Sequence, residues 1–157
     1  MQNDFTNQST AALGAAQEDA LLRQNRAVTP LHLAAALLSD ASGLMASLFA
    51  KLDIEPAALA AEIERELDRL PTAKGAQLAT SQDLMRVLAA AKAAAKRLGD
   101  SFVSTEHLLI GLAESDEVPP SAPGGLNGLF SGRNLSSARI DAALQELRGS
   151  RRVDTNN

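Results

Sequence analysis

The chain matches itself. Displaced by 75 residues, Val28-Thr29 falls on Val103-Ser104, His32-Leu33 on His107-Leu108, and Leu37 on Leu112. At the same displacement Leu13, Ala16 and Ala20 fall on Leu88, Ala91 and Ala95. Farther along the displacement grows to 81, and Leu48-Phe49 then falls on Leu129-Phe130, Leu59 on Ile140, and Ile63 on Leu144. The six additional residues belong to the Pro- and Gly-rich stretch Glu117–Gly128. A self-match of this kind means that one supersecondary unit occurs twice, each copy with an apolar face that it cannot bury alone. Two such units bury their faces against each other and form one domain.

The unit is helical. From Ser9 to about Gln24 the apolar positions Ala12, Leu13, Ala16, Ala20 and Leu21 recur at helical spacing. Asn25–Val28 breaks that pattern. Thr29-Pro30 reads as an N-cap with proline at the first helical position, opening a helix with Leu33, Ala34, Leu37 and Leu38 on one side. Leu44, Leu48 and Phe49 predict a short helix, and Pro56 opens another with Leu59, Ile63, Leu67 and Leu70 inward. In the second copy a long helix spans Ser81–Leu98, Ser104 caps a helix carrying Leu108, Leu109 and Leu112, Leu129-Phe130 starts a short turn, and Ser136–Arg148 is the last helix. The expectation is an all-α domain of about eight helices over residues 1–149, with one repeat over about 1–75 and the other over about 76–149. Residues 150–157 read as the start of a linker. The cores are predicted to centre on Leu33, Leu37, Leu59 and Ile63, and on Leu88, Leu108, Leu112, Ile140 and Leu144.

Composition agrees. The chain of 157 residues has no Trp or Tyr and only four Phe, and is rich in the helix formers Ala and Leu. Its length buries a core without metals or disulfides, and the absence of Cys excludes disulfides and cysteine–zinc sites. A net charge of −4 argues against a nucleic-acid stripe or a surface for anionic lipid. Met1–Thr10 is polar and unlike a signal peptide, and no apolar run reaches the length of a membrane span. A soluble, cytoplasmic protein is the resulting expectation.

Catalytic signatures are missing. No P-loop occurs, and Gly124-Gly125-Leu126-Asn127-Gly128 has no following Lys and no preceding strand, so it reads as a flexible loop. There is no nucleophile elbow and no zincin motif. His32 and His107, the only histidines, could form a metal or acid–base pair. Their repeat-equivalent places at helix starts point instead to local bonds with the backbone. Glu62, Glu64, Glu66 and Asp68 read as a solvated helix face, and Arg148, Arg151 and Arg152 as charges suited to a helix C-terminus and a linker.

The informative positions are those where the copies disagree. Asp100 stands opposite Asn25, Glu106 opposite Leu31, and Thr6, on the lead-in segment, opposite Ser81. A core position is held alike in both copies, whereas a position recruited for binding is open to divergence.

The stretches Ser81-Gln82-Asp83-Leu84-Met85-Arg86-Val87-Leu88 and Gly99-Asp100-Ser101-Phe102-Val103-Ser104-Thr105-Glu106-His107-Leu108-Leu109 resemble the second repeat of a Clp ATPase N-terminal domain. Val28-Thr29-Pro30-Leu31-His32-Leu33 resembles the first repeat. Phe5-Thr6-Asn7, Leu70-Pro71 with the loop to Gly75, and the ending Arg148-Gly149 to Val153-Asp154 resemble the ClpB type. The resemblance implies a substrate-binding module, flexibly joined to two ATPase modules that use ATP and Mg²⁺, in a homohexamer that threads unfolded or aggregated proteins with the DnaK system. It implies no cofactor, metal or catalytic residue in this chain, and a monomer for the domain alone. Carried onto this sequence, the substrate-contacting polar positions are Thr6, Asp100 and Glu106, the three already marked by broken symmetry.

These residues suggest a shallow groove. Glu106 lies in the first turn of its helix, Asp100 just past the Gly99 cap, and Thr6 closes the depression from the other side, over an apolar floor of Val87, Ala90, Ala91 and Ala94. Carboxylates accept backbone N–H bonds, and such a rim suits unfolded chains. The floor departs from the family, which often has Leu where this chain has Ala90 and Ala94, and the loop Glu117–Gly128 is longer and richer in Pro. The alternatives are an adaptor- or degron-binding N-domain of a protease-partnered Clp ATPase, a sheath-binding N-domain of a secretion-linked one, an enzyme on an all-α scaffold, and a structural spacer.

Overall fold

The computed structural model describes residues 4–75, 77–149 and 153–154. Its elements, in order, are α1 (Asn7–Leu22), β1 (Ala27–Val28), α2 (Pro30–Ser39), α3 (Gly43–Lys51), α4 (Pro56–Asp68), β2 (Ala79–Thr80), α5 (Gln82–Arg97), α6 (Thr105–Ser115), a 3₁₀ turn at Ser131–Arg133, and α7 (Ser137–Arg148). The domain is all-α, as expected. In the second copy α5, α6 and α7 stand for α1, α2 and α4.

The counterpart of α3 is the 3₁₀ turn at Ser131–Arg133, in keeping with the short turn expected from Leu129-Phe130. The cause is local. Gly124, Asn127 and Gly128 all take positive φ, which a right-handed helix does not accept. The Asp116 carboxylate takes the N–H groups of Gly128, Phe130 and Ser131 at 2.7, 3.1 and 2.9 Å, and so satisfies the free donors at the start of that turn. Phe130 still packs inward like its counterpart Phe49.

Helix starts are fixed twice over. Thr6 and Ser81, which match under the displacement of 75, are the N-caps of α1 and α5, and each side-chain oxygen accepts a backbone N–H of the first turn. His32 and His107 close α2 and α6. His32 Nδ1 accepts the Thr29 N–H at 3.0 Å, and His107 Nδ1 accepts the Ser104 N–H at 2.8 Å. With Nδ1 as acceptor, Nε2 carries the hydrogen in both rings. It is spent on Asn25 Oδ1 at 2.8 Å and on Asp100 Oδ2 at 2.7 Å. Both histidines therefore have the structural role that their symmetry suggested.

The copies are joined by exchanged lead-in segments. β1 pairs with β2 in parallel, Val28 opposite Thr80, and Phe5 pairs in parallel with Val103. The displacement of 75 converts one pairing into the other. Ser81 N donates to Val28 O at 2.9 Å, and Thr6 N donates to Val103 O at 3.0 Å. The segment before each first helix is thus held by the opposite copy.

One continuous core runs between the copies. Leu33, Leu37, Leu59, Ile63, Leu108, Leu112, Ile140 and Leu144 are buried, as expected. Leu88 is half-buried, because α5 turns Val87, Ala91 and Ala94 inward beneath α6. Gly111 permits that approach: a Cβ there would lie 2.5 Å from the Val87 carbonyl oxygen. Of the residues expected to begin a linker, 150–152, with Arg151 and Arg152, and 155–157 lie outside the described residues. Val153 is docked, its carbonyl accepting the N–H groups of Ser101 and Phe102 at 2.9 and 3.2 Å.

Candidate functional site

The seven residues expected to form one depression do not meet in one. Thr6 is 1% exposed, and its hydroxyl is engaged with Ser9, whose own hydroxyl donates to Val103 O at 2.8 Å. It is a cap on a helix, not a rim on a lead-in strand. The Asp100 side chain is sealed. Arg148 grips it with both Nη atoms, at 2.9 and 2.5 Å, and Val153 N–H and His107 Nε2–H complete its shell at 2.8 and 2.7 Å. Burial pushes the Asp100 carboxyl up, but Arg148, the Val153 N–H and His107 together hold it below the ordinary range. Its hydrogen bonds are made within the fold. Val87, Ala91 and Ala94 are core residues under α6.

Glu106 and Ala90 do face grooves, but different ones. The first groove lies between α1, the α2–α3 corner and the start of α6, and encloses about 410 Å³. Ala11, Ala12 and Ala15 of α1 form one wall, Leu37, Leu44 and Met45 contribute the other, and Thr105 and Glu106 close one end. Glu106 is 8% exposed, and its carboxylate accepts hydroxyl bonds from Ser104 and Thr105 at 2.6 and 3.1 Å. Because α6 starts there, that carboxylate also lies at the positive end of a helix dipole. The small side chains of α1 create the space, since Ala leaves the helix backbone within reach of an occupant.

The second groove is the symmetry mate of the first. Gln8, Ala11, Ala15, Ser39, Asp40 and Thr105 line the first, and under the displacement of 75 these become Asp83, Arg86, Ala90, Glu114, Ser115 and Pro30, all of which line the second. It encloses only about 180 Å³, because Pro120, Gly125, Leu126 and Asn127 of the inserted loop stand within its walls. Asp83 accepts the Ser121 N–H at 3.0 Å and the Ser121 hydroxyl at 2.9 Å, and also pairs with Arg86 at 3.1 Å. The Leu31 N–H donates to Gly124 O at 3.2 Å. Gly124 needs to be glycine, because its φ is +112° and a Cβ would lie 2.4 Å from the Thr29 methyl carbon.

Sequence reasoning missed the first groove's main wall. The signal was present in Ala11, Ala12 and Ala15, small residues on exposed or half-buried positions of α1 where a solvated helix would carry long polar side chains. Among the described residues no three His, Asp or Glu side chains converge as a metal site would require, and no single helix is long and apolar enough to cross a membrane.

Two helical repeats thus share one core, and a groove lies on each. Residues 4–121 match the Clp repeat (R) N-terminal domain, and the chain belongs to that family. It is 37% identical over 150 residues to the chaperone protein ClpB of Mycobacterium tuberculosis, covering 94% of this chain and 17% of that protein. The chain thus spans about a sixth of the length of such relatives. Among solved structures it superposes on the Hsp104 N-terminal domain from Candida albicans with a TM-score of 0.81 and 24% identity, covering 98% of this chain and 97% of that one. It also superposes on a ClpV N-domain in complex with a VipB peptide with a TM-score of 0.64 and 20% identity, covering 89% and 88%.

Proposed function

We propose that residues 1–149 are the substrate-engaging N-domain of a ClpB-type disaggregase, and that the groove between α1, the α2–α3 corner and α6 is its contact surface for unfolded or aggregated polypeptide. The observation that carries this reading is the groove itself: about 410 Å³, lined by Ala, Leu and Met together with Gln8, Ser39, Asp40 and Ser42, with Glu106 at one end. Unfolded clients present apolar side chains next to unsatisfied N–H groups, and a small-residue wall with an acceptor at its end accommodates both. The peptide in the ClpV complex supports the class of ligand. The level of identity to ClpB favours disaggregation over the sheath-binding and adaptor-binding alternatives. In this reading the chain continues past Asp154 by a tether to ATPase modules, which bind ATP and Mg²⁺. The hexamer works with the DnaK system in the cytoplasm on polypeptides only, and neither nucleic acid nor membrane is a partner.

The experiment is binding of fluorescently labelled casein to the chain and to two groove variants. Ala15→Gln puts a long side chain into the groove from an exposed helical site, where glutamine is a good helix former. Glu106→Gln removes the charge. Both are expected to weaken casein binding several-fold at a temperature where each is fully folded, Ala15→Gln with an unchanged melting temperature and Glu106→Gln with a lowered one, because it loses the charge at the start of α6. Parent-like binding by both variants would place the contact surface elsewhere.

A further inference from the structure

We infer that the inserted loop Glu117–Gly128 is a built-in occupant of the second groove, so that the domain offers polypeptide one open groove where its symmetry provides two. The inference rests on the reading of the grooves as polypeptide sites, and deepens it.

The loop sits as a bound peptide would. Pro119, Pro120 and Pro123 have no N–H to satisfy, so Ser121 supplies the donors, and both go to Asp83. The Gly124 carbonyl accepts the Leu31 N–H at the start of α2, and Leu126 is buried. These are the elements of a short-segment complex: charge-assisted bonds to backbone, a carbonyl at a helix N-terminus, and one apolar anchor. The residues that receive the loop are the symmetry partners of those lining the open groove, with Asp83 in place of Gln8 and Pro30 in place of Thr105. The six extra residues of the second copy fall within this loop, and it has reduced the space to about 180 Å³ from the 410 Å³ of its mate. Because both of its ends belong to the fold, the loop is present at the high effective concentration of an intramolecular ligand, and a client of modest affinity does not displace it.

The test uses the whole chain and a short amidated peptide of alternating Leu and Ser as probe, with calorimetry for stoichiometry and hydrogen exchange for the loop. The parent should bind one equivalent. A variant with residues 118–126 replaced by a Gly-Ser linker should bind two. Asp83→Ala, which keeps the loop and the core, should speed exchange at the Ser121 and Leu31 amides by roughly tenfold, as expected for loss of charge-assisted bonds, and should gain a weaker second equivalent. One equivalent for all three chains overturns the inference and leaves the open groove standing. Two equivalents for the parent also overturn it. Unchanged exchange in Asp83→Ala overturns it even if the loop-replaced chain does not fold. If no chain binds the probe, the reading of the grooves as polypeptide sites fails, and this inference falls with it.

Discussion

Asp100 and Arg148 form a two-pronged ion pair whose carboxylate is sealed from solvent, and at the matching places in the first repeat stand Asn25 and Leu67. The two copies thus solve one problem in two ways: each buries an acceptor for a capping histidine, one with a charge and its partner, the other with an amide and an apolar neighbour. Arg148→Leu alone leaves a buried carboxylate without its cation and should cost about 3–5 kcal/mol. Asp100→Asn with Arg148→Leu converts the second copy to the chemistry of the first and should recover most of that loss. Urea denaturation of the two single variants and the double one measures this. A double variant as unstable as the sum of the singles would show that the two positions are not coupled, against the compensated pair described here.

Acid should destabilise the domain through its histidines. Burial pushes the His32 imidazole down to about 4 from its ordinary 6.5, with Arg23 assisting and Asp19 opposing, and burial lowers His107 as well. Below pH 6.5 the unfolded chain takes up protons that the folded chain refuses, so stability is complete above that value and is lost as pH falls towards 4. His32 alone should remove about 2 kcal/mol between about pH 7.5 and about pH 5. Denaturation at the two pH values should show that drop, and flat stability across the range would contradict the neutral, buried ring.

Two glycine substitutions should act in opposite directions. Gly111→Ala places a Cβ 2.5 Å from the Val87 carbonyl and should cost about 1–3 kcal/mol by pushing α6 off α5. Gly14→Ala meets nothing within 4 Å, and Ala stands at the matching position Ala89, so it should gain about 0.5–1 kcal/mol from helix propensity. Thermal melts decide both signs.

Thr6→Ala separates a cap from a contact. Loss of the Ser9 N–H acceptor should cost about 0.5–2 kcal/mol. Casein binding, measured at a temperature where the variant is fully folded, should match the parent. Weakened binding by a folded Thr6→Ala would return this residue to the working surface.

The repeat, the helix order, the caps at Thr29 and Ser104, and most core positions were legible because each follows from local chemistry or from period. The site was less legible. Thr6 diverges from Ser81 only within the set of good caps, so its difference carries no functional information. Asp100 diverges from Asn25 because Arg148 diverges from Leu67, and a comparison made one position at a time does not see a compensated pair. The floor was misplaced because Val87, Ala91 and Ala94 lie on the same stripe of α5 that faces α6, and a stripe of small residues does not say whether a helix or a client covers it. Glu106 and Ala90 did reach grooves, one on each copy.

The corner Asp100–Val103 is held from two sides. Asp4 and Thr6 bond to Val103 on one, and Val153 bonds to Ser101 and Phe102 on the other. The segments around Phe5 and Val153 therefore meet at one corner of the fold, although nearly the whole chain lies between them. A pull applied between those two segments is carried by a handful of backbone bonds at that corner, and the helices that wall the open groove lie outside the line of tension. Mechanical load on the chain would peel a corner before it deformed a groove.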